Sequence, residues 1–227
     1  MSNKTVLITG AGSGLGKSLA QVFGSNNYNL ILSDINKSNL AIVGYEVNKK
    51  VQRNFVYGDL NDKRVINQLY SVSKKQGLDV LINNAGIYSN ETLESISEKN
   101  IEKIINTNLL APIKLTKKIW PLLVNKGSVI NINSIDSIYP KANVTSYTAS
   151  KAGLRGFTES LKFEGKNDGI RVIGVYLGGM QTPMNMSRGV DISKAMDSKE
   201  VAQIIFDNSK RYLSSGIDEI VINRQNY

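Results

Sequence analysis

The stretch "TVLITGAGSGLG" at residues 5–16 decides how the rest of the chain is read. Its first half is a short apolar run rich in β-branched residues, of the kind that forms a strand buried on both faces. Its second half places glycines at 10, 12, 14 and 16, and from Leu15 onward an apolar stripe (Leu15, Leu19, Val22, Phe23) recurs at helical spacing. Glycines at such a strand-to-helix junction allow a tight turn and let a pyrophosphate approach the free N–H groups at the helix N-terminus. A glycine triplet by itself is weak evidence, because an ordinary turn can contain one. Its place after the first strand of an alternating chain is what gives it weight.

The alternation continues to the end of the chain. Strand-like runs follow at "NLILSD" (29–34), "NFVYGD" (54–59), "DVLINN" (79–84), "GSVININS" (127–134), "IRVIGVYLG" (170–178) and "DEIVIN" (218–223). Between them lie helical stripes such as Val65, Leu69 and Val72, or Val201, Ile204 and Ile205. Near-continuous apolar strands joined by helices require a parallel sheet covered on both faces, and right-handed crossovers make it doubly wound. The expectation is an α/β fold with a seven-stranded parallel, Rossmann-like sheet. No stretch has the composition of a linker, and no repeat is evident, so residues 1–227 read as one domain.

Composition narrows the chemistry. The chain contains no cysteine and no histidine, which excludes thiolate nucleophiles, disulfides, imidazole bases and Cys- or His-ligated metals; no metal site is expected. The formal net charge is +9, but the lysines are scattered in pairs (Lys49-Lys50, Lys74-Lys75, Lys117-Lys118) without interleaved aromatics, so nucleic acid is not an expected partner. No apolar run is long enough to span a membrane, and no signal-peptide pattern precedes Thr5; a soluble, cytoplasmic protein with no membrane partner is expected.

In a doubly wound sheet, ligands bind beyond the carboxyl ends of the strands. Asp34 ends the second strand, 18 residues after Gly16. A carboxylate there accepts hydrogen bonds from the adenosine ribose and repels a 2′-phosphate, which favours NAD. Neither Ser13 nor Ile35 supplies a cation for a 2′-phosphate, whereas Lys17 and Lys37 leave NADP open. Asp59 ends the third strand and "NNAG" (83–86) the fourth.

Taken in order, "TGAGSGLG", "NNAG", Ser134, "YTASK" (147–151) and "GGMQTP" (178–183) resemble the short-chain dehydrogenase/reductase family in its one-domain form, over essentially the whole chain. Tyr147 follows Ser134 by 13 residues, a spacing that matches the family. The resemblance implies an NAD(P)-dependent oxidoreductase acting on a small alcohol or carbonyl compound. It implies catalytic roles for Asn108, Ser134, Tyr147 and Lys151. The cofactor-binding set that it implies is Gly10, Ser13, Gly14, Leu15, Gly16, Asp34, Asp59, Leu60, Asn84, Ala85, Gly86, Tyr147, Lys151, Gly178, Met180 and Thr182.

The residues support those roles physically. Tyr147 and Lys151 lie one helical turn apart and project from one face. A free phenol has a pKa near 10, and a neighbouring ammonium favours its ionised form; bringing it to neutrality takes about 4 kcal/mol, available in a partly desolvated cleft and not on an open surface. By resemblance, Lys151 also holds the nicotinamide ribose, Ser134 orients the substrate oxygen, and the Asn108 main-chain carbonyl holds a relay water. Pro112 lies four residues after Asn108 in a helical pattern, so it lacks the N–H that would bond that carbonyl, and a kink is expected there.

Leu177 stands where the family has proline, and a looser turn is expected at that point. The segment 184–200 matches the family's substrate lid, where Met184, Met186 and Met196 read either as an adaptable apolar wall or as packing filler. A homodimer is expected and a tetramer is left open, because the chain ends soon after its seventh strand. Two further functions remain in play: reduction of 3-oxoacyl groups on an acidic carrier protein, and a catalytically silent dinucleotide-binding regulator.

Overall fold

The computed structural model describes residues 3–182, 184, 195–209 and 216–224. Seven strands form one parallel sheet: β1 (Thr5–Thr9), β2 (Asn29–Asp34), β3 (Arg53–Tyr57), β4 (Val80–Asn83), β5 (Ser128–Ser134), β6 (Arg171–Leu177) and β7 (Glu219–Ile222). Their order is β3-β2-β1-β4-β5-β6-β7, and every neighbouring pair is parallel. The expected doubly wound, Rossmann-like sheet is therefore present.

Side-chain alternation divides the interior into two layers. Val6 and Ile8 of β1 face a core built with Leu19 and Phe23 of α1 (Gly14–Ser25), Leu40 of α2 (Lys37–Glu46) and Ile205 of α7 (Ser198–Ser209). Leu7, between them, faces the opposite core, with Leu69 of α3 (Lys63–Gln76), Leu115 of α5 (Ala111–Ile119) and Leu161 of α6 (Thr145–Asp168). Both faces of the central strands are dry, which explains their unbroken Val, Ile and Leu runs.

Strand ends depart from expectation where glycine sets the backbone. Gly10 (φ 64°) ends β1, and Gly58 (φ 143°) ends β3 before Asp59, so the run expected at 54–59 becomes Arg53–Tyr57. At Leu177 the expected looser turn does not form. Leu177 is the last residue of β6, buried and in register with Ser134 and Ile222, and the following Gly178 N–H donates to the Ile222 carbonyl at 2.9 Å. The strand thus runs in order up to the residue that turns out of it.

A second correction concerns Pro112. Instead of a kink inside one α-helix, the chain passes from α4 (Glu98–Ile105) through a π-helical turn (Asn106–Leu110) into α5, with Pro112 as the second residue of α5. The Ala111 N–H bonds the Asn106 carbonyl, one residue further back than in an α-helix. A proline near a helix start leaves no intrahelical donor unsatisfied, so the wider turn absorbs it. Among the described residues no helix is long and apolar enough to cross a membrane.

Candidate active site

β1 has β2 on one side and β4 on the other, so the loops leaving their carboxyl ends diverge and open a crevice. A cleft of about 630 Å³ lies there. Every residue of the expected cofactor-binding set lines it, and so does Ser134. Asn108 does not line the cleft; it is buried behind it.

The glycine-rich loop is shaped by close approach. A Cβ on Gly10 would come within 2.8 Å of the Ala85 Cα, and one on Gly16 would come within 2.0 Å of the Gly10 carbonyl oxygen. Asn84 stitches the loop to β4, its Nδ2 donating to the carbonyls of Thr9 (2.9 Å) and Gly10 (3.1 Å). The Thr9 hydroxyl accepts from the N–H groups of Asn84 and Ala85. At the start of α1, Ser13 makes no side-chain cap and the first turn holds no acidic residue. That leaves a positive helix end without an anion of the chain's own, which fits a dinucleotide pyrophosphate.

Asp34 turns its carboxylate into the same loop. Oδ2 accepts the Gly12 N–H and Oδ1 the Asn36 N–H, each at 2.8 Å, and a Cβ on Gly12 would strike the Asp34 Cγ at 2.8 Å. Each carboxylate oxygen keeps a lone pair for a ribose hydroxyl. The two lysines that left NADP open are engaged elsewhere: Lys17 pairs with Glu46 at 2.7 Å, and Lys37 stacks on the Tyr57 ring at 4.8 Å. Asp59 accepts from both the main-chain and side-chain nitrogens of Asn61, whose side chain also reaches Thr107. Lys103, one turn before Thr107, also lines the cleft.

At the other end, Ser134 closes β5, and its hydroxyl accepts the Asp136 N–H at 3.1 Å. Lys151 is buried, and Nζ donates to the Ile132 carbonyl at 3.0 Å; burial lowers its pKa to about 8. Tyr147 is half-buried, with its ring packed edge-to-face on Tyr88 at 4.8 Å between centroids. The Asn108 side chain is committed: Oδ1 accepts the Ile87 N–H, and Nδ2 donates to the Ile87 carbonyl and the Ser150 hydroxyl. Ser150 in turn donates to the Tyr147 carbonyl. Gly86 separates the two buried groups, since a Cβ there would lie 3.3 Å from the Asn108 Oδ1 and 3.7 Å from the Lys151 Nζ.

Several site residues escaped the sequence reading. Asn133 accepts the Ser134 N–H at 2.8 Å and donates to the Lys151 carbonyl at 3.1 Å, joining two elements that carry expected catalytic side chains. Buried asparagines alternating with isoleucines in the strand were the available signal, since such groups need partners. Tyr88, Lys103, Lys141 and Arg224 also line the cleft, brought there by topology that no local pattern announces. Of the lid methionines, Met196 bridges to Met180 and packs on the core, Met184 lines the cleft, and Met186 lies outside the described residues.

The chain matches known proteins over most of its length. The model of the family described as short chain dehydrogenase matches residues 4–193. The 3-oxoacyl-[acyl-carrier-protein] reductase FabG of Thermotoga maritima is 32% identical, over 90% of this chain and 89% of its own. A Brucella melitensis short-chain dehydrogenase/reductase, described as glucose/ribitol dehydrogenase, superposes with a TM-score of 0.90 over 98% of this chain and 96% of its own, at 23% identity. An actinorhodin polyketide ketoreductase variant with NADPH gives 0.86 over 97% and 95%, at 22% identity. The last two likenesses are likenesses of fold.

Proposed function

The chain belongs to the short-chain dehydrogenase family, and from that premise we propose that it transfers hydride between NAD and a secondary alcohol or ketone, with Tyr147 as the proton donor and acceptor. The observation that carries this reading is the convergence of Ser134, Tyr147 and Lys151 on one cleft whose opposite end is the glycine-rich turn at the α1 N-terminus. When bound, the dinucleotide supplies or takes the hydride at the substrate carbon.

The protein groups handle the proton and the developing charge. In the reducing direction, the Tyr147 hydroxyl donates its proton to the carbonyl oxygen as that oxygen gains charge; in the oxidising direction the phenolate takes the hydroxyl proton. The Lys151 ammonium favours the phenolate through its charge and returns its proton toward Tyr147. The Ser134 hydroxyl donates to the substrate oxygen and fixes its direction. With its side chain held by Ile87 and Ser150, Asn108 acts through its main-chain carbonyl, to which Pro112 can offer no N–H. A silent regulator would need none of these proton-handling groups.

NAD is preferred on the strength of Asp34, with Ile35 beside it offering an exposed apolar side chain in place of a cation. A second reading, reduction of a 3-oxoacyl thioester on an acyl carrier, is favoured by the 32% identity to an enzyme of that name. Assaying 3-oxoacyl thioesters beside simple ketones separates the two.

Tyr147→Phe tests the central assignment. The phenyl ring keeps its packing on Tyr88 and loses only the transferable proton, so turnover should fall by about 10²-fold or more with cofactor affinity nearly unchanged. Substantial residual turnover would remove Tyr147 from the role.

A further inference from the structure

The proton chemistry needs Ser134, Tyr147 and Lys151; beyond them, the same end of the cleft carries charge that it does not use. Its wall there includes Asp136, Lys141 and Arg224. Asp136 is buried and holds the Lys141 Nζ at 3.0 Å, which neutralises the carboxylate while leaving the lysine side chain 52% exposed. Arg224 follows β7, and its Nε lies 4.0 Å from where a Cβ on Gly179 would be, which puts the guanidinium against the segment that leaves β6. It makes no ion pair among the described residues.

The other carboxylates of the cleft wall, Asp34 and Asp59, belong to the ends of β2 and β3, on the far side of β1. Two cations and one buried carboxylate, itself paired to Lys141, therefore leave a net positive charge there, with Arg224 the cation that makes no ion pair among the described residues. The pyrophosphate site at the α1 N-terminus does not explain Arg224. Arg224 follows β7, four strands away from β1 in the order β1-β4-β5-β6-β7, and its Nε lies against Gly179, whereas the turn that would hold the phosphates leaves β1.

We propose that the substrate carries an anionic group, a carboxylate or phosphate, received by Arg224 and Lys141 while its reacting oxygen faces Ser134 and Tyr147. This rests on the oxidoreductase reading and names the substrate class for it. An exposed guanidinium offers a fork that pairs bidentately with either anion, and the lysine adds a point charge. The pair orients the substrate as well as attracting it, because an anchored anion fixes which end of the molecule meets the tyrosine.

The test compares a keto acid with its methyl ester, and adds a coenzyme A thioester to ask whether a phosphorylated arm supplies the anion. Steady-state rates and calorimetric titration of the enzyme–cofactor complex are read together. The wild type should favour the acid, or the phosphorylated thioester, over the neutral ester by about tenfold or more in kcat/KM. Arg224→Gln should lose most of that preference through KM, leave the ester and cofactor affinity unchanged, and be rescued in part by Arg224→Lys. Equal handling of charged and neutral substrates by the wild type overturns the inference, as does an Arg224→Gln effect shared by cofactor and ester. If no carbonyl compound of either kind consumes cofactor, the oxidoreductase reading falls on its own, and the calorimetric preference for anion over ester still decides the inference.

Discussion

Lys151 is held in opposition between its charge and its surroundings. Its ammonium is buried, donates to the Ile132 carbonyl, and has its pKa lowered to about 8 by the loss of hydration. An unfolded chain takes up that proton near pH 10.4, so as pH falls the unfolded state binds it first. Stability tied to Lys151 is therefore intact above about pH 10.4 and lost progressively down to about pH 8, on the order of 3 kcal/mol in all. Lys151→Met has no such proton. Urea unfolding of the cofactor-free protein should show the variant gaining on the wild type between pH 10.4 and 8, with the difference flat below. Parallel pH dependence in the two proteins would show an ammonium that is still hydrated. The same desolvation has a functional side, since a weakly hydrated ammonium near pH 8 exchanges its proton readily with a neighbour.

Among the elements, β5 is the one that aims the site. Its inward asparagines tie helices to the sheet: Asn131 bonds Asn83 and the Thr158 hydroxyl of α6, and Asn133 bonds the Lys151 carbonyl while accepting the Ser134 N–H. Asn133→Ala takes the acceptor from the Ser134 N–H, at about 1–3 kcal/mol if no water replaces the amide, and removes the second donor from the Lys151 carbonyl, which keeps its helical bond inside α6. Its effect should fall on kcat by about tenfold with KM little changed, because Ser134 and Lys151 lose their common reference. Asn131→Ala should cost comparable stability with much less loss of rate, and similar kcat losses in both variants would reduce Asn133 to a stability role. The strands, the glycine-rich turn and the Tyr147–Lys151 pair were legible because each is written in local period or spacing. Asn133, Tyr88 and Lys103 were not, because their partners lie on elements remote in sequence. The π-helical turn at Asn106–Leu110 was half legible: Pro112 announced a disturbance, and the wider turn that absorbs it joins α4, packed against α6, to α5, packed on the sheet. Pro112→Ala supplies a donor that the Asn108 carbonyl could capture, tightening the turn. Slower turnover with a changed solvent isotope effect is expected, and wild-type values for both would free that carbonyl from any part in proton transfer.

On the scale of the whole molecule, the cleft draws on the α1 N-terminus, the ends of β1 and β2, the ends of β4 and β5, and the segment after β6. A dinucleotide spanning it bridges both halves of the sheet, so its binding stabilises the entire fold by mass action. Cofactor choice can then be read from stability without any substrate. At a hundredfold excess over its dissociation constant, a ligand adds about 2.7 kcal/mol, or roughly 5–11 °C in Tm for a chain of this size. The Asp34 carboxylate should accept from the ribose hydroxyls of NAD, whereas the 2′-phosphate of NADP brings a second anion beside it. A repulsion of a few kcal/mol corresponds to about a hundredfold in affinity. At equal concentration NADP should then shift Tm by only about 1 °C, because RT ln 2 is about 0.4 kcal/mol. Asp34→Ser should narrow the gap from both sides, but NAD should suffer more than a lost ribose contact explains, since Gly12 also loses the acceptor that holds the loop. Lys103, which lines the same cleft, is a cation that would oppose this outcome. A larger shift with NADP than with NAD in the unmodified protein would mean that Lys103 outweighs Asp34, and Lys103→Met should then return the preference to NAD.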